Sequence, residues 1–236
     1  MLSKQIVTKP VVSITGLYPE VEELSKSTEF RRTFSVAFHK YIRPTLGIGV
    51  ISYITMIFMS IIIASYIGSG GYNLFEHTIS ELGLKLMTPL PNLFNSACML
   101  AGIISIPYYF LLRKKVISWT QDSLLLKVTM CIGFIGAIGY FFVGVFSLER
   151  SGPFHITHEI FAGIAFVGFV AAIILFSIYI IRFQDRFLKG FGIFGLIFPV
   201  TFLVLYCVYI TPIFEWLLLI SILTFSVPSS LWALLK

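Results

Sequence analysis

Three histidines and five glutamates flank the long apolar runs of this chain: His77, His155, His158, Glu76, Glu81, Glu149, Glu159 and Glu215. The densest stretch is Glu149-Arg150-Ser151-Gly152-Pro153-Phe154-His155-Ile156-Thr157-His158-Glu159. If a helix starts near Phe154, then His155, His158, Glu159 and Ala162 share one face under the i, i+3, i+4, i+7 rule. Two imidazoles and a carboxylate on one face are a candidate metal set for His155, His158 and Glu159, with zinc as the candidate ion. A further ligand would come from elsewhere, from His77 or Glu81. No HExxH signature accompanies them. The structural alternative is that Glu159 complements a helix N-terminus and that the histidines sit as amphipathic side chains at the lipid–water boundary.

A second polar stretch runs Gly70-Gly71-Tyr72-Asn73-Leu74-Phe75-Glu76-His77-Thr78-Ile79-Ser80-Glu81-Leu82-Gly83. Thr78-x-x-Glu81 reads as a capping box opening a short interfacial helix. The chemical reading makes Ser80 a nucleophile near His77 or His155, which requires a base within hydrogen-bond reach. Glu215 stands at the start of the last apolar run. An ionisable residue there is a functional candidate, a favourable helix N-terminal acid or, with Trp216, part of an interface anchor. Asn95 lies at the start of the second run. The candidate catalytic residues are therefore Glu81, His158, Glu215 and Ser80. The candidate ligand-binding residues are His77, Asn95, His155 and Glu159.

The composition says what must carry these groups. Of 236 residues, 57% are hydrophobic and 12% charged, with a mean hydropathy of +0.93. A soluble domain carries about 25% charged residues, so a soluble enzyme and a disordered chain are excluded. About 20 apolar residues cross a bilayer as a helix. Six runs qualify, at about 46–68, 90–112, 128–148, 156–181, 188–210 and 212–235. The last two meet at a tight Thr211-Pro212 corner. The predicted fold is all-α, a polytopic membrane bundle of six transmembrane helices.

Charge sets the expected orientation. With the N-terminus inside, fifteen of the seventeen Lys and Arg face the cytoplasm and only Lys85 and Arg150 lie outside. That is the positive-inside pattern, with both termini cytoplasmic in a multi-pass protein of the cell membrane. The net charge of +6 thus marks topology and contact with anionic lipid, with no nucleic-acid partner. No cleavable signal peptide is read at the start. Residues 1–45 form a cytoplasmic segment, with an amphipathic interfacial helix at about 21–43 that Pro44 separates from the first span. The six-helix domain occupies 46–236. Gly133, Gly136, Gly139 and Gly144 predict close helix packing in the third span. Cys98, Cys131 and Cys207 lie inside apolar runs and form no disulfide framework. Gly190-Phe-Gly192-Ile-Phe-Gly195 matches GxGxxG but opens a membrane helix with no strand before it, so it is not a dinucleotide site.

Tyr72 to Gly83 (YNLFEHTISELG), Phe94-Asn95 with Gly102, Gly139 to Leu148 (GYFFVGVFSL), His158-x-x-x-Ala162 and Glu215 together resemble a prokaryotic membrane family, domain of unknown function 998. That family is distantly similar to Frag/DRAM-like six-span proteins, some linked to lipid-anchor remodelling. The resemblance covers about 46–236 and carries over Ser80, Glu81, Asn95, His158 and Glu215. His77 and His155 are additions of this chain, and a proline the family bears near Ser147 is absent. The resemblance implies the fold and leaves the activity open.

The resulting functional expectation is an outward polar pocket that binds or processes a lipid head group or a small polar ligand. Hydrolysis or transfer on a lipid is the reaction class if the chain is an enzyme. The alternative is a non-catalytic accessory or scaffold subunit, with partner membrane subunits besides membrane lipids. A coupled transporter ranks behind both, because the central stretches of the spans carry no charged residue.

Overall fold

The computed structural model describes residues 38–117, 124–149, 155–183 and 186–234. The chain divides into two units, residues 1–43 and 44–236. Of the N-terminal segment, the described part is a π-helical turn, Phe38–Ile42. The rest of the expected amphipathic helix lies outside the described residues.

Six long helices follow among the described residues: α1 (Arg43–Tyr66), α2 (Pro91–Ile117), α3 (Leu124–Val145), α4 (His155–Phe183), α5 (Arg186–Tyr209) and α6 (Pro212–Leu234). All are long and apolar enough to cross a membrane, and no strand occurs among the described residues. The chain is a multi-pass membrane protein. Its helices follow the apolar runs because only an internally hydrogen-bonded segment satisfies its backbone in hydrocarbon. Pro44 stands in the first turn of α1. Proline is tolerated in a first helical turn, where its missing N–H has no intrahelical partner to lose.

Helices α2, α3, α4, α5 and α6 pack in sequence, and α6 returns to α2, so these five form a closed ring. Glycines set the closest approaches. A Cβ added at Gly168 on α4 would lie 2.6 Å from the Gly136 Cα on α3. One added at Gly139 would lie 2.9 Å from the Ala165 nitrogen. Gly133 faces the Tyr109 ring and Gly144 the Asn95 carbonyl, both on α2. The four glycines of α3 thus serve two neighbours, α2 through Gly133 and Gly144 and α4 through Gly136 and Gly139. Without a hydrophobic driving force between helices in lipid, such close backbone contact supplies the packing energy.

Helix α1 meets the ring at fewer points. A Cβ at Gly49 would come 2.6 Å from Ile104 Cγ2 on α2, and Tyr53 Oη bonds Tyr140 Oη of α3 at 2.9 Å. Of its apolar window 28% is buried, against 56% for α2 and α4 and 17% for α5. Large apolar side chains such as Ile48, Phe58, Ile103, Ile135 and Val204 face outward, which suits a surface solvated by lipid tails.

The segment between α1 and α2 is not an open loop. Its 3-10 turn, Ile79–Gly83, contacts α2 and α6 and is capped at its end by Leu84 N–H donating to the Glu81 carbonyl at 3.0 Å. Ile79 is 3% exposed and Leu82 is 0% exposed, so the turn closes one end of the bundle. The corner between α5 and α6 places Ile210 at φ 49. A β-branched residue there is strained.

Two outcomes follow for stability in detergent. Gly168→Leu should lower Tm strongly, while Gly163→Leu on the same helix, where an added Cβ meets nothing within 4 Å, should leave it nearly unchanged. Ile210→Gly should raise Tm, because relieving a left-handed β-branched residue is worth roughly 1 kcal/mol. Thermal unfolding followed by tryptophan fluorescence reads both.

Candidate functional site

The end of the bundle closed by the Ile79–Gly83 turn collects most of the polar side chains picked out from the sequence. Helix α3 stops at Val145, and the carbonyls just beyond a helix end lack intrahelical partners. His158, in the first turns of α4 and 3% exposed, supplies one. Its Nδ1 lies 2.8 Å from the Phe146 carbonyl oxygen. Its Nε2 lies 3.0 Å from Ser80 Oγ. Ser80 Oγ also lies 3.4 Å from Glu215 Oε1. A single polar chain therefore joins α3, α4, the 3-10 turn and α6.

The donor and acceptor types constrain the protons. A carbonyl oxygen only accepts, so Nδ1 must carry hydrogen and donate to Phe146. In the neutral ring, Nε2 then presents its lone pair to the Ser80 hydroxyl. A hydroxyl bond to oxygen has its mode near 2.7–2.8 Å, so the contact to Glu215 is long and the 3.0 Å contact to His158 is the stronger of the two. A hydroxyl, an imidazole nitrogen within hydrogen-bond reach of it and a carbonyl that orients the imidazole lie together, an arrangement chemically able to activate a serine.

Glu215 occupies the first turn of α6, where the helix dipole favours a carboxylate. It is 2% exposed, and its Oε2 has no hydrogen-bond partner. Asn95 on α2 is also 2% exposed, with Oδ1 unpartnered. Glu81 is half-buried, and its Oε2 is unpartnered as well. Three acceptors at this end thus lack donors.

The surrounding segment is tied down at several points. Tyr72 is buried and donates its hydroxyl to the Thr78 carbonyl at 3.0 Å. Burial holds the Tyr72 phenol well above the ordinary tyrosine range; a hydrogen bond with Trp216 opposes this, while Glu215 and Glu81 push the same way as burial. It therefore stays neutral and remains a donor. Trp216 Nε1 donates to the His77 carbonyl at 3.3 Å. Lys85 and Glu149 form an ion pair at 2.8 Å, and the Lys85 backbone N–H also donates to Glu149 at 2.9 Å. The exposed pair contributes little energy, but together the contacts tie the segment to the α3 end.

Several sequence expectations need correction. The histidine that meets Ser80 among the described side chains is His158, while His77 is turned elsewhere. The His77 ring stacks on Tyr72 at 5.5 Å, with Nδ1 against the Asn73 backbone. The capping box does not form. Thr78 stands at the N-cap position without a side-chain cap bond, because the element is a five-residue 3-10 turn with its own contacts to the bundle. On α4, His158 is buried while Glu159, one residue on, is exposed. His155 begins α4, and its side chain lies outside the described residues. The candidate metal set of His155, His158 and Glu159 includes a side chain outside the described residues; among the described ones, no three His, Cys, Asp or Glu side chains are grouped to hold a metal. His158 already directs both ring nitrogens to protein partners.

Beneath Ser80 lies a small cavity of about 10 Å³, bordered by Ile79, Phe94, Val143 and Ala162 among others. It shares Tyr140, Phe166 and Leu219 with a larger cavity of about 80 Å³ between α1, α2 and α6. Sequence reasoning missed the residues of this second space. They read as ordinary core positions, and the one available signal was the run of hydroxyls Ser226, Ser229 and Ser230 inside an apolar span.

No curated protein and no solved structure matches the chain. The sequence model of the family described as protein of unknown function (DUF998) matches residues 53–232. That match takes in the Ile79–Gly83 turn, His158, Glu215 and all but the start of the bundle, so the chain belongs to the DUF998 family.

Proposed function

We propose that this membrane protein processes a lipid at its closed end, with Ser80 as nucleophile and His158 as general base and acid. One observation carries the reading. The Phe146 carbonyl fixes hydrogen on His158 Nδ1, which leaves Nε2 as a base 3.0 Å from Ser80 Oγ. Hydrogen-bond reach between nucleophile and base is the first geometric requirement for such chemistry.

The reaction is acyl transfer. Ser80 Oγ adds to the carbonyl carbon of an acyl ester as its proton passes to His158 Nε2. The bond to the head-group oxygen breaks, and that oxygen takes the proton from Nε2. Water then adds to the acyl-serine carbonyl and gives a proton to Nε2. The Ser80 oxygen leaves with that proton, and the carboxylic acid is released. An acceptor alcohol in place of water gives transfer instead of hydrolysis. The unpartnered acceptors of Glu81, Asn95 and Glu215 favour a head group that brings hydroxyl or ammonium donors, since a buried acceptor left unpaired costs about 1–3 kcal/mol.

Location follows from charge. Arg113, Lys114, Lys115, Lys127, Arg182 and Lys189 all stand at helix ends opposite the site. The positive-inside rule then supports an orientation in the cell membrane with the site facing outward and both termini in the cytoplasm.

A fluorophosphonate probe on the detergent-purified chain tests the reading. Labelling should map to Ser80, vanish in Ser80→Ala and fall roughly 10²-fold or more in His158→Ala, the usual scale of general-base catalysis. It should persist in a chelator. An unlabelled wild-type chain, together with no turnover of vesicle lipids, would overturn the proposal in favour of an accessory or scaffold subunit. Labelling lost on chelation would overturn it in favour of a metal-dependent role for His158.

A further inference from the structure

We infer that the cavity between α1, α2 and α6 receives part of the acyl chain of a lipid drawn from the bilayer, with its carbonyl end directed toward Ser80. The substrate class is thus a long-chain acyl lipid rather than a water-soluble ester. As a statement about substrate this rests on the Ser80–His158 reading, but chain binding is measurable without any chemistry.

Three observations carry it. The first is adjacency. Tyr140, Phe166 and Leu219 border both the small cavity under Ser80 and the larger one. The larger space runs along α6 from Leu219 to Ser230. At 1.5 Å per residue that is roughly 16 Å along the helix. Leu219 lies one turn beyond Glu215, so the space begins just below the polar chain and descends toward the other end.

The second is the chemistry of the walls. The cavity is bordered mainly by aliphatic and aromatic groups, and its hydroxyls are largely spent on protein partners. Tyr53 and Tyr140 bond each other at 2.9 Å, and Tyr108 bonds Ser229 at 2.7 Å. Ser105 bonds the Ala101 carbonyl at 2.7 Å and Ser230 the Val227 carbonyl at 2.7 Å. A polar ligand would find few free partners there. An apolar chain needs none, and a cavity so lined does not retain water well.

The third is access. Only 28% of the α1 apolar window is buried, and α1 supplies Leu46, Val50 and Tyr53 to the cavity wall. The outer face of α1 is apolar, with Ile48, Ile51 and Phe58 exposed. A spanning helix with few contacts beside an apolar space offers a lateral entrance from hydrocarbon, so a lipid tail can enter without crossing water.

The probe is a phosphatidylcholine bearing a diazirine in its acyl chain, mixed into phosphatidylcholine–phosphatidylglycerol vesicles containing the full chain. Crosslinks mapped in the wild type should concentrate on cavity-wall residues of α2 and α6, such as Tyr108 and Leu223. They should persist in Ser80→Ala. Ser226→Phe should cut them at least about tenfold, which equals roughly 1.4 kcal/mol and is a typical overpacking cost. Ile103→Trp, on the outward face of α2, should leave their distribution unchanged. Wall crosslinks with no fluorophosphonate labelling of Ser80 would uphold chain binding while the catalytic reading fails. Crosslinks spread evenly over outward residues, and unmoved by Ser226→Phe, would overturn the inference whatever Ser80 does. Mapping in the wild type needs no variant to fold.

Discussion

Ile79 and Leu82 anchor a five-residue 3-10 turn in the end of the bundle, and the site depends on that burial. The turn carries Ser80 between its two anchors and sets it between His158 of α4 and Glu215 of α6. Gly83 lets the turn approach α2, since a Cβ there would lie 2.6 Å from Asn95 Oδ1. The polar chain and the apolar anchors support one another. The anchors exclude water from the hydrogen bonds, and at low dielectric those bonds strengthen and hold the turn in one register.

The same accounting separates the two regions of the interior. Below the site, most buried hydroxyls bond neighbouring carbonyls or each other, as at Ser60, Ser105, Thr129 and Ser221, with Ser177 the exception. At the site, Glu81, Asn95 and Glu215 each keep an acceptor without a donor. A folded chain usually pairs its buried polar atoms, and exceptions concentrate where function needs them. Under the proposed function, these open atoms would meet the polar end of an amphiphile and the mainly satisfied walls beneath would meet its apolar part.

Glycine determines how close the ring can draw. The Gly136–Gly168 contact brings α3 and α4 together, and Gly144 brings α3 against α2 beside Asn95. These contacts set the distance between Phe146 at the end of α3 and His158 at the start of α4. The orientation of the imidazole therefore rests on helix packing as much as on its own hydrogen bond, which is how a scaffold holds a site to a fraction of an ångström.

The sequence by itself determined the number of spans, their approximate limits and the packing role of the α3 glycines. Apolar length, charge placement and small-residue spacing are local properties, and lipid permits few alternatives to a helix. It also singled out Ser80, His158 and Glu215 individually. Which histidine meets Ser80 was decided by tertiary structure alone. Their separation in sequence is 78 residues, and a pairing across that distance depends on how α3 and α4 pack and how far the turn enters the bundle. The capping-box motif at Thr78 was legible yet did not form, because burial of Ile79 and Leu82 outweighed a local capping preference. The cavity along α6 left no mark in the sequence, because the space between side chains belongs to no residue and exists only once the helices have packed.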